Sequence, residues 1–361
     1  MKYVKTYQQY LTKLFVKNLF IITGVFASLT FILNILEEIK FFKDMELGLY
    51  YPFLFTILNL PSVLFETFPF IILITTQMFF IHLYTRDEVI IFKNYGVKNI
   101  DIIKLLSVLT LLFGLFLVFG FHTLSSNLKH NYLGFKNNFT EDNKYLAVIN
   151  ESGLWIKDEI NDQINIVNAE GIENNLLINV SISQLDKNYE LKKTIYADRI
   201  NIEKNIWLLE KAKIFEIGGG KYEEDLVELN SNFNLEKINN LFSNLSSLNI
   251  FQLTRYLKDY KSLGYSTLDI ESSIHKLLAL PVYLVIMILI GSMLMMNVKN
   301  NKSKVFNIIM GIILSVLIYY INYFFNIMGI NERLPVVLSI WFPLTILLLF
   351  SFVGLVRINE K

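Results

Sequence analysis

Six apolar stretches, three on either side of a polar insert of about 150 residues, constrain this chain more than any other feature. They cover roughly 14–36, 52–83, 102–124, 277–297, 305–328 and 336–356. A hydrocarbon core about 30 Å thick takes about 20 helical residues to cross, so each stretch is long enough to span it. The insert, 125–273, carries 22 Asp/Glu and 16 Lys/Arg and has no apolar run of that length. The expected fold is an α-helical polytopic membrane protein, with six transmembrane helices in a three-plus-three arrangement around one domain outside the bilayer. At 53% hydrophobic, the chain is too apolar for a single water-soluble globule of 361 residues.

The distribution of charge orients the spans. Lys2, Lys5, Lys13 and Lys17 precede or open the first, with no acid among residues 1–17. The 84–104 loop holds Arg86, Lys93, Lys98 and Lys104 against Asp87, Glu88 and Asp101, and the 297–304 loop holds Lys299, Lys302 and Lys304 alone. On the other side, 37–51 sets two Lys against four acids. The positive-inside rule then predicts that both termini, 84–104 and 297–304 are cytoplasmic. The insert is expected outside, which in a bacterium is the periplasm. A net charge of +1 gives no field that would draw nucleic acid. With no cysteine, the exported domain must fold without disulfides or thiolate metal sites. The first apolar run is a full span with no small-residue cleavage site after it, so it is expected to stay as a helix.

Three parts follow: spans 1–3 in 1–124, the insert in 125–273, and spans 4–6 in 274–361. Pro61 and Pro69 lie inside the second span, where neighbouring groups can satisfy the freed carbonyls. In the insert the hydrophobic period changes. Segments at 145–149, 153–157, 163–167, 177–182, 194–198 and 212–217 alternate or run short between Asn, Asp and Gly turn signals, predicting an antiparallel β sandwich or roll. Gly218-Gly219-Gly220 reads as a turn in that region, since it lacks the strand–helix frame and the Lys-Ser/Thr end of a phosphate-binding loop. Asn249–Leu263 returns to a helical pattern that Gly264 ends.

No catalytic set emerges. His82, His122, His130 and His275 are scattered without metal-ligand spacing, and Ser125-Ser126 has no base in context. No cofactor is expected, and ATP hydrolysis, if transport needs it, belongs to another subunit. The segment Arg86–Val97, RDEVIIFKNYGV, is amphipathic at helical spacing, with Val89, Ile90, Phe92 and Val97 apolar, Arg86, Asp87, Glu88 and Lys93 polar, and Gly96 a C-cap. It reads either as a membrane-surface connector or as a docking knob for a cytoplasmic ATPase. Glu66 is the one carboxylate deep in a span. It admits two readings: the polar lining of a translocation cavity, or a protonated group bonded to a kinked backbone. Glu37, Glu38, Lys40 and Lys43 cluster at the outer end of the first span, as interface markers or as contacts for lipid phosphates or a sugar acid. Tyr319, Tyr320, Tyr323, Phe324 and Phe325 on the fifth span suit packing or a cavity for acyl chains.

Taken together and in order, these features resemble the LptF/LptG family of lipopolysaccharide-export permeases. The resemblance covers essentially the whole chain. It rests on the three-plus-three spans around a β domain, Pro61 and Pro69, and Arg86-x-Glu88 with Gly96. It rests equally on Gly153-Leu-Trp-Ile-Lys-Asp158, Tyr256-Leu-x-x-Tyr260-x-x-x-Gly264, His275-Lys276 ahead of Leu280-Pro281, and Leu334-Pro335 with Trp341-x-Pro343. The Gly-Leu-Trp-Ile-Lys-Asp segment and the Leu-Pro before the sixth span look closer to the LptG branch. The resemblance implies a heterodimer with an LptF-type permease, driven by a dimer of the ATPase LptB. It also implies a periplasmic jellyroll that passes lipopolysaccharide to the jellyrolls of LptC and LptA. In that reading 86–97 is the coupling helix with Glu88 at its acidic position, and Lys40 is a basic position facing lipopolysaccharide phosphates. With Lys40, the residues Lys43, Glu37, Glu66, Tyr320 and Phe324 are the candidate substrate contacts among membrane lipids. Two family basic positions are Asn34 and Leu277 here, so fewer cations are available at those points.

Other readings make different demands. Permeases for another lipid or a lipoprotein, of the MacB and LolC type, usually have four spans with the exported domain after the first. A stand-alone ion-coupled transporter needs several midplane charges. A membrane-anchored adaptor whose β domain binds a periplasmic partner needs neither six spans nor a coupling-type helix.

Overall fold

The computed structural model describes residues 6–45, 48, 50–137, 139, 154–160, 163–173, 175–235, 238, 244–262, 266–296 and 304–359. The segment 145–149, read above as a strand, lies outside the described residues, as do Lys2, Lys5, Gly153, Gly264 and nearly all of the 297–304 loop. The chain forms two compact units. One, helical, comprises Met1–Tyr132, Asn249–Leu253 and Leu268–Lys361; the other comprises Leu133–Leu248 and Thr254–Thr267.

The helical unit contains α1 (Thr6–Phe42), α2 (Tyr50–Thr85), the short α3 (Glu88–Asn94) and α4 (Asn99–Phe116). α4 continues through a π-turn at Leu117–Phe121 into α5 (His122–Asn137). A short α6 (Ile250–Ser262) precedes α7 (Leu268–Met296), α8 (Lys304–Ile330) and α9 (Val336–Asn359). Among the described residues, six helical stretches are long and apolar enough to cross a membrane: Thr6–Phe42, Tyr50–Thr85, Asn99–Lys136, Leu268–Met296, Val305–Ile330 and Val336–Val356. The third therefore runs well past the boundary expected at 124. Hydropathy marks the apolar part of a helix, and nothing in HTLSSNLKHNYLGFKN, a proline-free segment, stops the backbone from continuing. The 37 residues of α1 extend about 55 Å at 1.5 Å per residue, so its two ends serve separate sites.

α7 is the centre of this unit, with Leu284, Ile286, Met287, Ile288 and Ile290 fully buried. Lipid tails are as apolar as leucine, so close backbone approach and polar pins hold such helices together. Gly114 of α4 lies against Pro281 of α7, where an added Cβ would stand 2.7 Å from the Pro281 Cα. Gly291 of α7 meets Thr76 of α2 in the same way. Gln77 Nε2 donates to the Asn307 carbonyl (2.7 Å) and pins α8 to α2, while Ser272 Oγ and Asn326 Oδ1 (2.5 Å) pin α8 to α7.

Among the described residues, the other unit holds a six-stranded antiparallel sheet: β1 (Leu154–Ile160), β2 (Gln163–Glu173), β3 (Leu176–Leu185), β4 (Leu191–Asn201), β5 (Ile206–Glu216) and β6 (Gly220–Asn230). The strand order, which the sequence leaves open, is β1-β2-β3-β4-β5-β6, a sequential meander. Alternation along the strands sends Leu154, Ile156, Val167, Val180, Ile182, Ile195 and Trp207 into one core. The β5–β6 hairpin turns at Gly218 and Gly220, whose φ of 88° and 98° suit glycine. After β6 the chain folds back. Trp207 Nε1 donates to the Phe233 carbonyl (2.9 Å), and Phe233 and Ile238 complete the core. Buried Asp158 of β1 accepts from Ser231 Oγ (2.7 Å), the Asn232 N–H (3.1 Å) and Asn232 Nδ2 (2.9 Å), so it ties the first strand to the segment after the last. α6 begins where its sequence says it should. Asn249 Oδ1 accepts from the Phe251 and Gln252 N–H groups, and Gln252 Oε1 accepts from the Asn249 N–H.

Candidate functional site

Two regions at opposite ends of α1 gather the polar and aromatic side chains that make candidate sites. At the first, the connection from α2 to α4 folds as α3, seven residues long. It is shorter than the helix expected over 86–97, because left-handed residues bound it on both sides. Asp87 enters with φ 56°, and Gly96 leaves with φ 79°. The Gly96 N–H donates to the Lys93 carbonyl and the Val97 N–H to the Phe92 carbonyl (both 2.9 Å), which is a Schellman stop. Two turns of helix are too few to be stable alone, so tertiary contacts must hold them. Val89 supplies the buried contact. Glu88 and Phe92, one turn apart, face α1: Tyr10 Oη is 2.8 Å from both Glu88 carboxylate oxygens, and the rings of Tyr7 and Tyr10 lie 6.4 and 6.5 Å from that of Phe92. Ile90 (58% exposed), Ile91 (51%) and Tyr95 (84%) point outward, flanked by exposed Arg86, Asp87 and Lys93. The structure thus separates an inward acidic contact from an outward apolar one.

The second region sits between the far halves of α1, α2, α5 and α7. Asn59 Nδ2 of α2 donates to Asn34 Oδ1 of α1 (3.3 Å), and Lys129 Nζ of α5 donates to Asn59 Oδ1 (2.6 Å). One turn beyond, Tyr132 Oη donates to Glu38 Oε1 (2.8 Å), and Lys129 lies 4.6 Å from the centre of the Tyr132 ring. Glu38, 2% exposed, is therefore a buried structural carboxylate, whereas Glu37, Lys40 and Lys43 beside it are exposed. Glu66 is exposed on α2, within electrostatic reach of Lys129 and Lys276, and makes no hydrogen bond among the described residues. Phe70, one turn along the same stripe, meets the ring of Tyr319 on α8 at 6.0 Å. Next to it Tyr320 and Phe324 are exposed and line a shallow apolar groove with Ile313, Val316, Leu317 and Phe325. A charged seam thus borders an aromatic surface, the two kinds of contact that an amphiphile with acyl chains and anionic groups needs.

The sequence profile described as "Lipopolysaccharide export system permease LptF/LptG" matches residues 9–357, nearly the whole chain. The chain belongs to the LptF/LptG family. No individual curated protein was found to match it. Membership makes this a multi-pass permease subunit and implies association with an ABC-type ATPase and a partner permease. Within this LptF/LptG protein, the sequence alone singled out neither Tyr10 nor Asn59, Lys129 and Tyr132. Tyr10 lies 78 residues from its partner in a segment that reads simply as basic and Tyr-containing. Lys129 left a signal, a cation just past an apolar run, but nothing in the sequence showed that the helix continued and brought it back against α2.

Proposed function

We propose that this chain is the LptG-type half of an ATP-driven permease that takes lipopolysaccharide from the outer leaflet of a bacterial inner membrane. Its termini and α3 face the cytoplasm, where an LptB-type ATPase dimer docks. Its β unit lies in the periplasm and passes the lipid toward LptC- and LptA-type jellyrolls, with an LptF-type permease closing the other side of the cavity. The observation that carries this reading is the family match over 9–357. The positive-inside pattern supports the orientation. Outward Ile90, Ile91 and Tyr95 on a helix braced from behind suit insertion into a groove of the ATPase.

The charged seam refines the substrate contact. Asn34 stands where the family resemblance expects a cation. Asn59 joins it to Lys129, so the third span supplies a positive charge close to the position where the first lacks one. Lys129, Lys276, Lys40 and Lys43 then face the phosphates, Glu66 sets the spacing of the cations around it, and Tyr320 and Phe324 border the acyl chains. Gentle purification of the tagged chain, followed by mass spectrometry of what comes with it, tests the proposal. An ABC-type ATPase, a second six-span permease and lipid A are expected. A lone chain carrying only ordinary phospholipid would overturn it.

A further inference from the structure

Besides its own chain neighbours, α3 is tied to α1 through side chains. It joins α2 through left-handed Asp87 and leaves through Gly96, two points at which the backbone reverses. Across from it, Tyr7 and Tyr10 lie three residues apart on one face of α1, and Glu88 and Phe92 lie four apart on one face of α3. The single Tyr10 hydroxyl proton is shared between two carboxylate oxygens at 2.8 Å each, a charge-assisted bond that fixes the carboxylate plane as well as its position. Ile90, Ile91 and Tyr95 are the most exposed large hydrophobic side chains of this joint; Tyr10 is 40% exposed, but its hydroxyl is engaged by Glu88.

We propose that Tyr10 is a positioning residue for energy coupling: by holding Glu88 and, with Tyr7, Phe92, it fixes α3 on α1, so that movement of a docked ATPase is delivered to the first span. The same helix carries Asn34, Glu38 and Lys40 at its other end, about 36–45 Å away for a rise of 1.5 Å per residue, so a displacement applied at Tyr10 reaches the charged seam along one rigid element. This rests on the docking reading above. The two are separable, because docking belongs to the outward face and coupling to the inward one.

The test uses the full complex with its ATPase and partner permease in proteoliposomes loaded with purified lipopolysaccharide. Tyr10→Phe keeps both ring contacts and removes only the hydroxyl. ATPase retention and the rate of ATP hydrolysis are expected to stay within about twofold, while lipopolysaccharide released per ATP falls about threefold to tenfold, the range for losing one hydrogen bond to a carboxylate at a partly exposed site. In a Glu88→Gln background, Tyr10→Phe is expected to add little, since the hydroxyl acts through that carboxylate. Unchanged release per ATP, loss of the ATPase along with release, or full additivity with Glu88→Gln would overturn the proposal. Ile91→Asp serves as the separate check on docking. If it releases the ATPase while Tyr10→Phe leaves release per ATP unchanged, only the coupling role fails. If the ATPase stays bound to Ile91→Asp, the docking reading fails and the coupling role with it.

Discussion

Asp158 shows what one residue can do that its neighbours in sequence do not reveal. Period-two alternation puts Leu154, Ile156 and Asp158 on the same inward face, so a carboxylate enters an apolar core. It is tolerated because three donors from Ser231 and Asn232 meet it. Asp158→Ala leaves those donors unpaired and is expected to cost about 2–3 kcal/mol, read as earlier chemical unfolding of the β unit and faster amide exchange in β1 and 231–235. The alternation was legible; the partners, 73 and 74 residues away, were not. A second carboxylate sets a pH dependence. In the β3–β4 turn, the Asp186 carboxylate is held below the usual range first by the Glu190 backbone N–H, then by Lys192 at 3.0 Å and by the Asn188 N–H. A lowered folded value means that its contribution is complete above the ordinary carboxylate range near 4 and is lost as pH falls below it. Amide exchange at 186–192 is therefore expected to accelerate on acidification through that window, and Asp186→Asn is expected to abolish the acceleration.

Elements were legible in proportion to how strongly one physical pattern dominates them. The six apolar runs announced six helices, and the helical pattern from Asn249 announced α6, whose start the local Asn249–Gln252 cap fixes. β6 went unread: KYEEDLVELN is exposed on nearly every side chain, only Val227 and Leu229 turn toward the core, and pairing along β5 makes the rest a strand. Helix ends misled for a related reason, since apolar content reports lipid depth while the polar run to Asn137 stays helical. Contacts between helices lay further out of reach. Gly114 looks like any glycine in an apolar span, yet it admits Pro281 of α7. Gly114→Ala forces a Cβ onto backbone that cannot yield, and a loss of about 1–3 kcal/mol is expected, seen as a lower midpoint in thermal unfolding of the detergent-solubilised chain. Gly134, with nothing near its Cβ position, is the matched control.

At the scale of the molecule, α1 links two sites: an aromatic and carboxylate joint with α3 at one end, and an asparagine–lysine seam with α2 and α5 at the other. The order of motifs made the family legible, and the charge pattern of the loops is what supports the proposed orientation. The seam was not, because Lys129 and Lys276 come from spans on opposite sides of the insert and acquire meaning only when both face Glu66. The proposed function puts the lipid at that seam and the aromatic surface beside it, so the most direct measurement is a photocrosslink from their border. With p-benzoylphenylalanine in place of Phe70, the complex assembled with its ATPase and partner permease and illuminated in membranes is predicted to form an adduct with lipopolysaccharide that weakens once ATP is hydrolysed. An adduct with ordinary phospholipid alone, unchanged by ATP, would contradict the account.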